Sequence, residues 1–318
     1  METRRFGNTE LRVSVLGFGA AEIGFENTAD RVLDRIIGVA LDAGINVVDT
    51  AAMYADSEEK IGRALNGRRD RFHVFTKCGR LSPRLGRLFE RAYRKAFRSL
   101  GRADRDDFFI WHPLLLKWNI DESLRRLKTD RVDLIQLHSC PEEVLRRGDA
   151  IEALKRAQQA GKVRYIGYSG DGPAALYAIK CRQFDALQTS VSIADQSAIE
   201  DTLPIAREYG IGVIAKRPIA NGLWKSRQRP SDRHYQAYWD RLRELGYDFL
   251  RDERAFPTAL RFTLNVDGVH TAIVGTTNPD NFEQNIKTVA ARVAAKSEFD
   301  AIRAQWKKVA RPNWVAQM

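Results

Sequence analysis

Four side chains in the first half of the chain are of the types that move protons between oxygen atoms: Asp49, Tyr54 five residues later, Lys77 and His138. An ammonium beside a phenol favours the phenolate, and a carboxylate beside the ammonium holds it charged and in place. Such a group exchanges a proton through a tyrosine whose pKa is lowered from about 10. A neighbouring imidazole can hydrogen-bond a substrate oxygen. Each residue also has an ordinary reading: Asp49 caps a helix, Lys77 ends a solvated strand, Tyr54 packs with a wet hydroxyl, and His138 is a satisfied core histidine. What separates the two readings is whether the fold brings the four together.

Each of them closes or follows a short β-rich run. Such runs lie near Val13–Gly19, Asn46–Asp49, His73–Lys77, Asp133–His138, Arg164–Ser169, Ala186–Val191, Gly212–Lys216 and Thr271–Gly275. Between them stand amphipathic stretches such as ADRVLDRIIGVALDAG, SEEKIGRAL, DESLRRLKTD, DAIEALKRAQQAG, PAALYAIKCRQ and DTLPIAREYG, several with apolar residues three and four apart and a glycine stop. Parallel strands need such crossovers, and eight units close most simply into an α/β fold of the (β/α)8 TIM-barrel type, here as one domain over 1–318. The opening RRFGNTELRV reads as a two-strand hairpin covering the bottom of the barrel.

A barrel gathers its strand ends around one mouth, so Asp49, Lys77, His138, Ser169 and Gln188 are expected to converge there, with Tyr54 one turn beyond the second strand. Two connections leaving that face exceed ordinary turns. The first runs from about 80 to 118 and carries an amphipathic helix with an Arg-rich face between Arg84 and Arg102; the second covers about 224–252. Trp111, His112, Trp118, Trp224, Tyr235, Tyr238 and Trp239 lie in them, either lining a substrate pocket or pinning the connections to the barrel.

Composition sets the class. Hydrophobic residues make up 44% and charged residues 29%, and no apolar run approaches the roughly 20 residues that span a bilayer. The start METRRFGNTELRV lacks the apolar core of a secretory signal, so a cytoplasmic location is expected. Cys78, Cys140 and Cys181 form no paired metal or disulfide pattern and read as reduced thiols. The formal charge of +11 is concentrated: nine basic and two acidic residues fall between Arg80 and Arg105. No nucleic-acid motif accompanies it, so neither nucleic acid nor membrane is expected as a partner.

The stretches DTAAMYADSEEKIGRAL from Asp49, FTKCG with Lys77, VDLIQLH ending at His138, GKVRYIGYSG with Ser169 and VGTTNPDNFEQN from Val274 closely resemble the aldo-keto reductases, in order over nearly the whole chain. The interval from Asp49 to Tyr54 is the one that family uses. The resemblance implies an NAD(P)H-dependent oxidoreductase in which a cofactor extended over the barrel mouth passes hydride to an aldehyde or ketone, or takes it from the alcohol. Tyr54 then handles the proton, Lys77 tunes it, Asp49 anchors Lys77 and also borders the cofactor, and His138 orients the carbonyl. It further implies that Ser169, Gly170 and Gln188 hold the nicotinamide amide and that Gly19, Ala20 and Ala21 line the cofactor. Lys216, Arg217, Pro218 and Ile219 then lie beside it, and Gly275, Thr276, Thr277, Asn281, Gln284 and Asn285 hold its adenosine end. No metal is implied.

Four positions depart from the family's habit. Gly170 stands where many relatives have Asn, and Lys216 where an aromatic stacks on the nicotinamide. Gly275 and Asn281 replace the basic residues usual in NADP-using members, so NADP(H) is favoured over NAD(H) only by family habit and the local basic balance. Two other activities stay open: a nucleotide-binding barrel serving as a redox sensor or subunit with little turnover, and Schiff-base chemistry at Lys77.

Overall fold

The computed structural model describes residues 1–80, 111–291 and 296–315. A hairpin of β1 (Thr3–Arg5) and β2 (Arg12–Ser14) leads into β3 (Leu16–Gly19), β4 (Val47–Asp49), β5 (His73–Cys78), β6 (Val132–His138), β7 (Val163–Ser169), β8 (Ala186–Ser190), β9 (Gly212–Lys216) and β10 (Thr271–Gly275). The last eight form a closed barrel in which β10 pairs with β3 and every neighbouring pair is parallel. All eight expected strands are present. The first of the expected runs is broken at Val15, where the chain leaves the hairpin for the barrel. The Ser14 hydroxyl donates to the Leu16 carbonyl at 2.7 Å, and its amide donates to Asn46 Oδ1 at 2.8 Å, which fixes the corner.

Helices Asp30–Asp42, Ser57–Ala64, Asp149–Gln159, Gly172–Lys180 and Ser197–Glu208 follow the predicted periodicity. Their apolar faces pack on the outer surface of the barrel in one continuous core. Inside the barrel a second cluster of Phe6, Leu11, Val13, Val47, Phe75, Leu134, Ala186 and Ile214 joins the hairpin to the strands. Phe6 is fully buried and stacks on Phe75 with ring centres 5.6 Å apart. The hairpin therefore plugs the bottom as expected, and the carboxyl ends of the strands are left to build a site.

The two long connections differ from their sequence reading. The Arg-rich helix of the first lies outside the described residues. Its far boundary comes earlier than Trp118: a helix spans Pro113–Leu127, with Pro113 in its first turn and the His112 ring accepting from the Leu114 amide at 3.3 Å. The second connection is largely helical, with Arg233–Leu245 at its centre. The aromatics of the two connections are mostly anchors. Tyr238 is fully buried and donates to Asp195 Oδ2 at 2.7 Å, Trp239 Nε1 donates to the Ser226 carbonyl at 2.9 Å, and Trp111, before the Pro113 helix, is buried against Gly79. Among the described residues no helix is long and apolar enough to cross a membrane, and no group of His, Cys, Asp and Glu is arranged to hold a metal.

Candidate active site

Strand register brings the predicted residues to one rim. Gly19 lies opposite Asp49, His138 opposite Ser169, Ser169 opposite Gln188, and Gly275 opposite Gly19. Tyr54 is delivered by a turn stitched to the neighbouring strand. The amides of Thr50 and Ala52 donate to the Phe75 and Lys77 carbonyls at 2.9 and 3.2 Å, and the Tyr54 amide closes back on Ala51 at 3.0 Å. Ser57, the first residue of the following helix, donates to the Ala20 carbonyl at 2.7 Å, while the Ala20 amide donates to the Asp49 carbonyl at 2.8 Å. The segment Gly19–Ala21 and the tyrosine turn are thus locked together.

Within this frame Lys77 Nζ donates to Asp49 Oδ1 at 2.5 Å and to the Thr50 carbonyl at 2.8 Å, both side chains being buried. The same ammonium lies 5.2 Å from the centre of the Tyr54 ring, and the His138 ring meets that ring edge-on at 5.8 Å. The four residues therefore form one chain of neighbours, Asp49 to Lys77 to Tyr54 to His138. Asp49 Oδ2 and His138 Nδ1 are buried without a partner in the protein.

Burial acts first on each group. It opposes the charge on Lys77, but the Asp49 carboxylate and a hydrogen bond with Tyr54 outweigh it, so the ammonium is held above its ordinary value. For Tyr54 the balance goes the other way: burial outweighs the nearby ammonium and raises the phenol pKa. This corrects the expectation of a lowered value, since the low-dielectric mouth penalises phenolate more than one lysine, itself paired with Asp49, can offset. Tyr54 is a firmly protonated donor. Burial, with Lys77, Arg80, Lys216 and Arg217 adding to it, drives His138 well below the usual imidazole range, so its ring is neutral.

The expected nicotinamide seat is more heavily engaged than the sequence indicated. Gln188 Nε2 donates to Asp49 Oδ1 at 3.2 Å, and its Oε1 accepts from Gln136 at 3.3 Å. Gly170 has a steric cause: a Cβ there would stand 2.5 Å from the Tyr168 hydroxyl, which donates to the Cys140 carbonyl at 2.9 Å. Lys216 is paired with Asp171 at 2.8 Å, and Asp171 also accepts from Thr189, the Ser190 amide and the Ser190 hydroxyl. Arg217 has φ +54° and reaches the Ser190 hydroxyl at 3.4 Å. Pro218 accepts from Thr263 at 2.9 Å, and Ile219 begins the turn Ala220–Lys225.

At the far end Gly19 and Gly275 pair side by side, and the helix Pro279–Ala290 follows β10 with its N-terminus capped by Asn278. Asn285 is buried, whereas Asn281 and Gln284 are exposed. Thr277 donates to Glu26 Oε2 at 2.9 Å, and Glu22 Oε2 fills the place where a Cβ on Gly275 would stand, 1.9 Å away. Burial pushes the Glu22 carboxyl upward, and Glu26 adds to it. The unpartnered Asp49 Oδ2 and His138 Nδ1 at one end of this rim, with the paired backbones of Gly19 and Gly275 and the helix start at Pro279 at the other, fit an extended dinucleotide.

Sequence reasoning missed Gln136, Asp171, Glu22 and Glu26. Gln136 was detectable as the polar residue in the otherwise apolar end of VDLIQLH, and Asp171 as an acid two residues past a strand end. Glu22 and Glu26 carry no local signal, because their partners are some 250 residues away in the chain: Gly275 faces Glu22 and Thr277 bonds Glu26. The cysteines are free, and burial raises the thiol pKa of each, as the reading of reduced thiols implies.

The chain is 30% identical to D-threo-aldose 1-dehydrogenase of a Pseudomonas species over 90% of this chain and 92% of that protein. It is 27% identical to L-galactose dehydrogenase of Arabidopsis thaliana over 100% and 99%. The holo form of an aldo-keto reductase from Bacillus halodurans superposes with a TM-score of 0.79 at 28% identity, covering 99% of both chains. The model of the Aldo/keto reductase family matches residues 15–307, and the chain belongs to that family of oxidoreductases.

Proposed function

We propose that this protein reduces an aldehyde or ketone, or oxidises the corresponding alcohol, with a nicotinamide dinucleotide, using Tyr54 as general acid and base. The observation that carries this is the contact set of Tyr54, Lys77, Asp49 and His138 at one end of the barrel. When bound, the nicotinamide supplies hydride to the carbonyl carbon. The chain's own residues do the rest. Tyr54 holds a proton at its hydroxyl and delivers it to the oxygen as negative charge develops there. Lys77 steadies the phenolate left behind, and Asp49 keeps Lys77 charged. The neutral His138 ring directs an N–H toward the same oxygen without adding a competing acid.

Gly19 to Ala21, Asp49, Ser169, Gly170 and Gln188 would hold the nicotinamide half. Lys216 to Ile219 would flank the middle, and Gly275 to Thr277, Asn281, Gln284 and Asn285 would hold the adenosine half. Lys216 serves this role through Asp171 rather than as a free phosphate ligand. Two relatives that match nearly end to end are named for sugars, which supports hydroxylated aldoses as the first carbonyl compounds to try.

Titration of the purified protein with NADH and NADPH, followed by fluorescence, with and without aldoses and simple aldehydes, tests the reading. Saturable binding and carbonyl-dependent loss of reduced cofactor are expected. Binding with no oxidation by any carbonyl compound would instead match a nucleotide-binding sensor. A borohydride-trapped adduct on Lys77 would overturn hydride transfer in favour of Schiff-base chemistry.

A further inference from the structure

Glu22 and Glu26 stand in the first helical turns after β3, yet both meet the segment that follows β10. Glu22 lies over Gly275, and Glu26 accepts the Thr277 hydroxyl at 2.9 Å. Two further carboxylates, Asp280 and Glu283, sit in the first turns of the helix beginning at Pro279, and the Arg35 guanidinium beside them is already paired to both, at 2.6 and 3.5 Å. From Gly275 to Asn281 the segment GTTNPDN contains no Lys or Arg.

We infer that Glu22 and Glu26 make this site select a dinucleotide with an unphosphorylated adenosine ribose, so that NADH is preferred over NADPH. The inference rests on the proposed placement of the adenosine half along Gly275–Asn285. A phosphate monoester carries close to two negative charges at neutral pH and needs cations or several free donors. Here it would meet carboxylates and a threonine hydroxyl already committed to one of them. A ribose diol has the opposite requirement, because its hydroxyls donate, and carboxylates are the strongest acceptors for them. The basic balance of the chain as a whole therefore does not decide the cofactor: its excess lies largely between Arg80 and Arg105, while this end of the rim is acidic.

Equilibrium fluorescence titration with NADH and NADPH at pH 8 tests this on the wild type, Glu22→Gln, Glu26→Gln, the double variant and Asn281→Arg. The wild type should bind NADH at least about tenfold more tightly. The gap should shrink in both glutamine variants and most in the double variant, and it should also narrow as salt is raised, because repulsion is screened. Asn281→Arg, which leaves both glutamates in place, should tighten NADPH more than it changes NADH. Equal or tighter binding of NADPH by the wild type would overturn the inference alone. So would variants that shift both cofactors in parallel, which is what a merely structural role predicts. Binding of neither cofactor would overturn the proposed function itself, and this inference with it.

Discussion

A buried lysine and aspartate, a phenol above its ordinary pKa and a neutral imidazole together set the pH behaviour of the site. Because burial keeps Tyr54 protonated, the rate of carbonyl reduction should hold up to high pH and fall only above about pH 10, the ordinary phenol value. A steady-state pH profile with a break near neutrality would contradict this. His138 gives a stability prediction with a definite sign. Its folded pKa lies below the ordinary 6.5, so as pH falls through about 6.5 the unfolded chain takes up a proton that the folded one refuses. Stability should therefore drop on acidification, by up to about 1.4 kcal/mol per pH unit, over the window between the unfolded and folded values. Urea unfolding at pH 7.5 and 5.5 should show His138→Asn losing less stability over that interval than the wild type. The residue types of this centre were legible from Asp49, Tyr54, Lys77 and His138 alone. The direction of the tyrosine shift was not, since it depends on how deeply the mouth is enclosed.

At the scale of elements, the tyrosine turn is only as rigid as the helix that follows it. Glu58 in Ser57–Ala64 is buried, accepts from Thr76 at 2.6 Å and pairs with buried Arg126 at 2.7 Å, joining that helix to β5 and to Pro113–Leu127. The same two helices approach closely at Gly62, where a Cβ would stand 2.5 Å from the Arg126 carbonyl. Removing one partner leaves a buried charge alone, so Arg126→Met should cost about 3–5 kcal/mol in denaturant unfolding. It should also lower kcat through the displaced turn. Loss under about 1 kcal/mol would show that the pair is not a structural tie. SEEKIGRAL announced a helix by its apolar spacing, but the buried use of Glu58 was hidden, because a glutamate in that pattern ordinarily faces water. The boundary near Trp118 was misplaced because the helix start at His112–Pro113, with the imidazole as its cap, was read as part of the connection.

For the molecule as a whole, the barrel separates stability from chemistry. The hairpin plug sits at the amino ends of the strands, and the Tyr54 centre at their carboxyl ends. Phe6→Ala empties a fully buried position stacked on Phe75 and should cost about 3–5 kcal/mol in unfolding, with kcat per folded molecule unchanged. A matching fall in kcat would mean that the two ends are coupled. The eight strands were readable because each is a short apolar run between helical patterns. The partnerships of Asp171 with Lys216 and of Glu26 with Thr277 were not, since they form only when the barrel closes. The central claim concerns the other end: that Tyr54 passes the proton that accompanies hydride transfer. Its most direct test is single-turnover oxidation of bound reduced cofactor by an activated aldehyde in the wild type and in Tyr54→Phe. The account predicts equal cofactor affinity and a rate lower by about 10²–10⁴-fold in the variant. Equal rates in the two proteins, with cofactor bound in both, would contradict it.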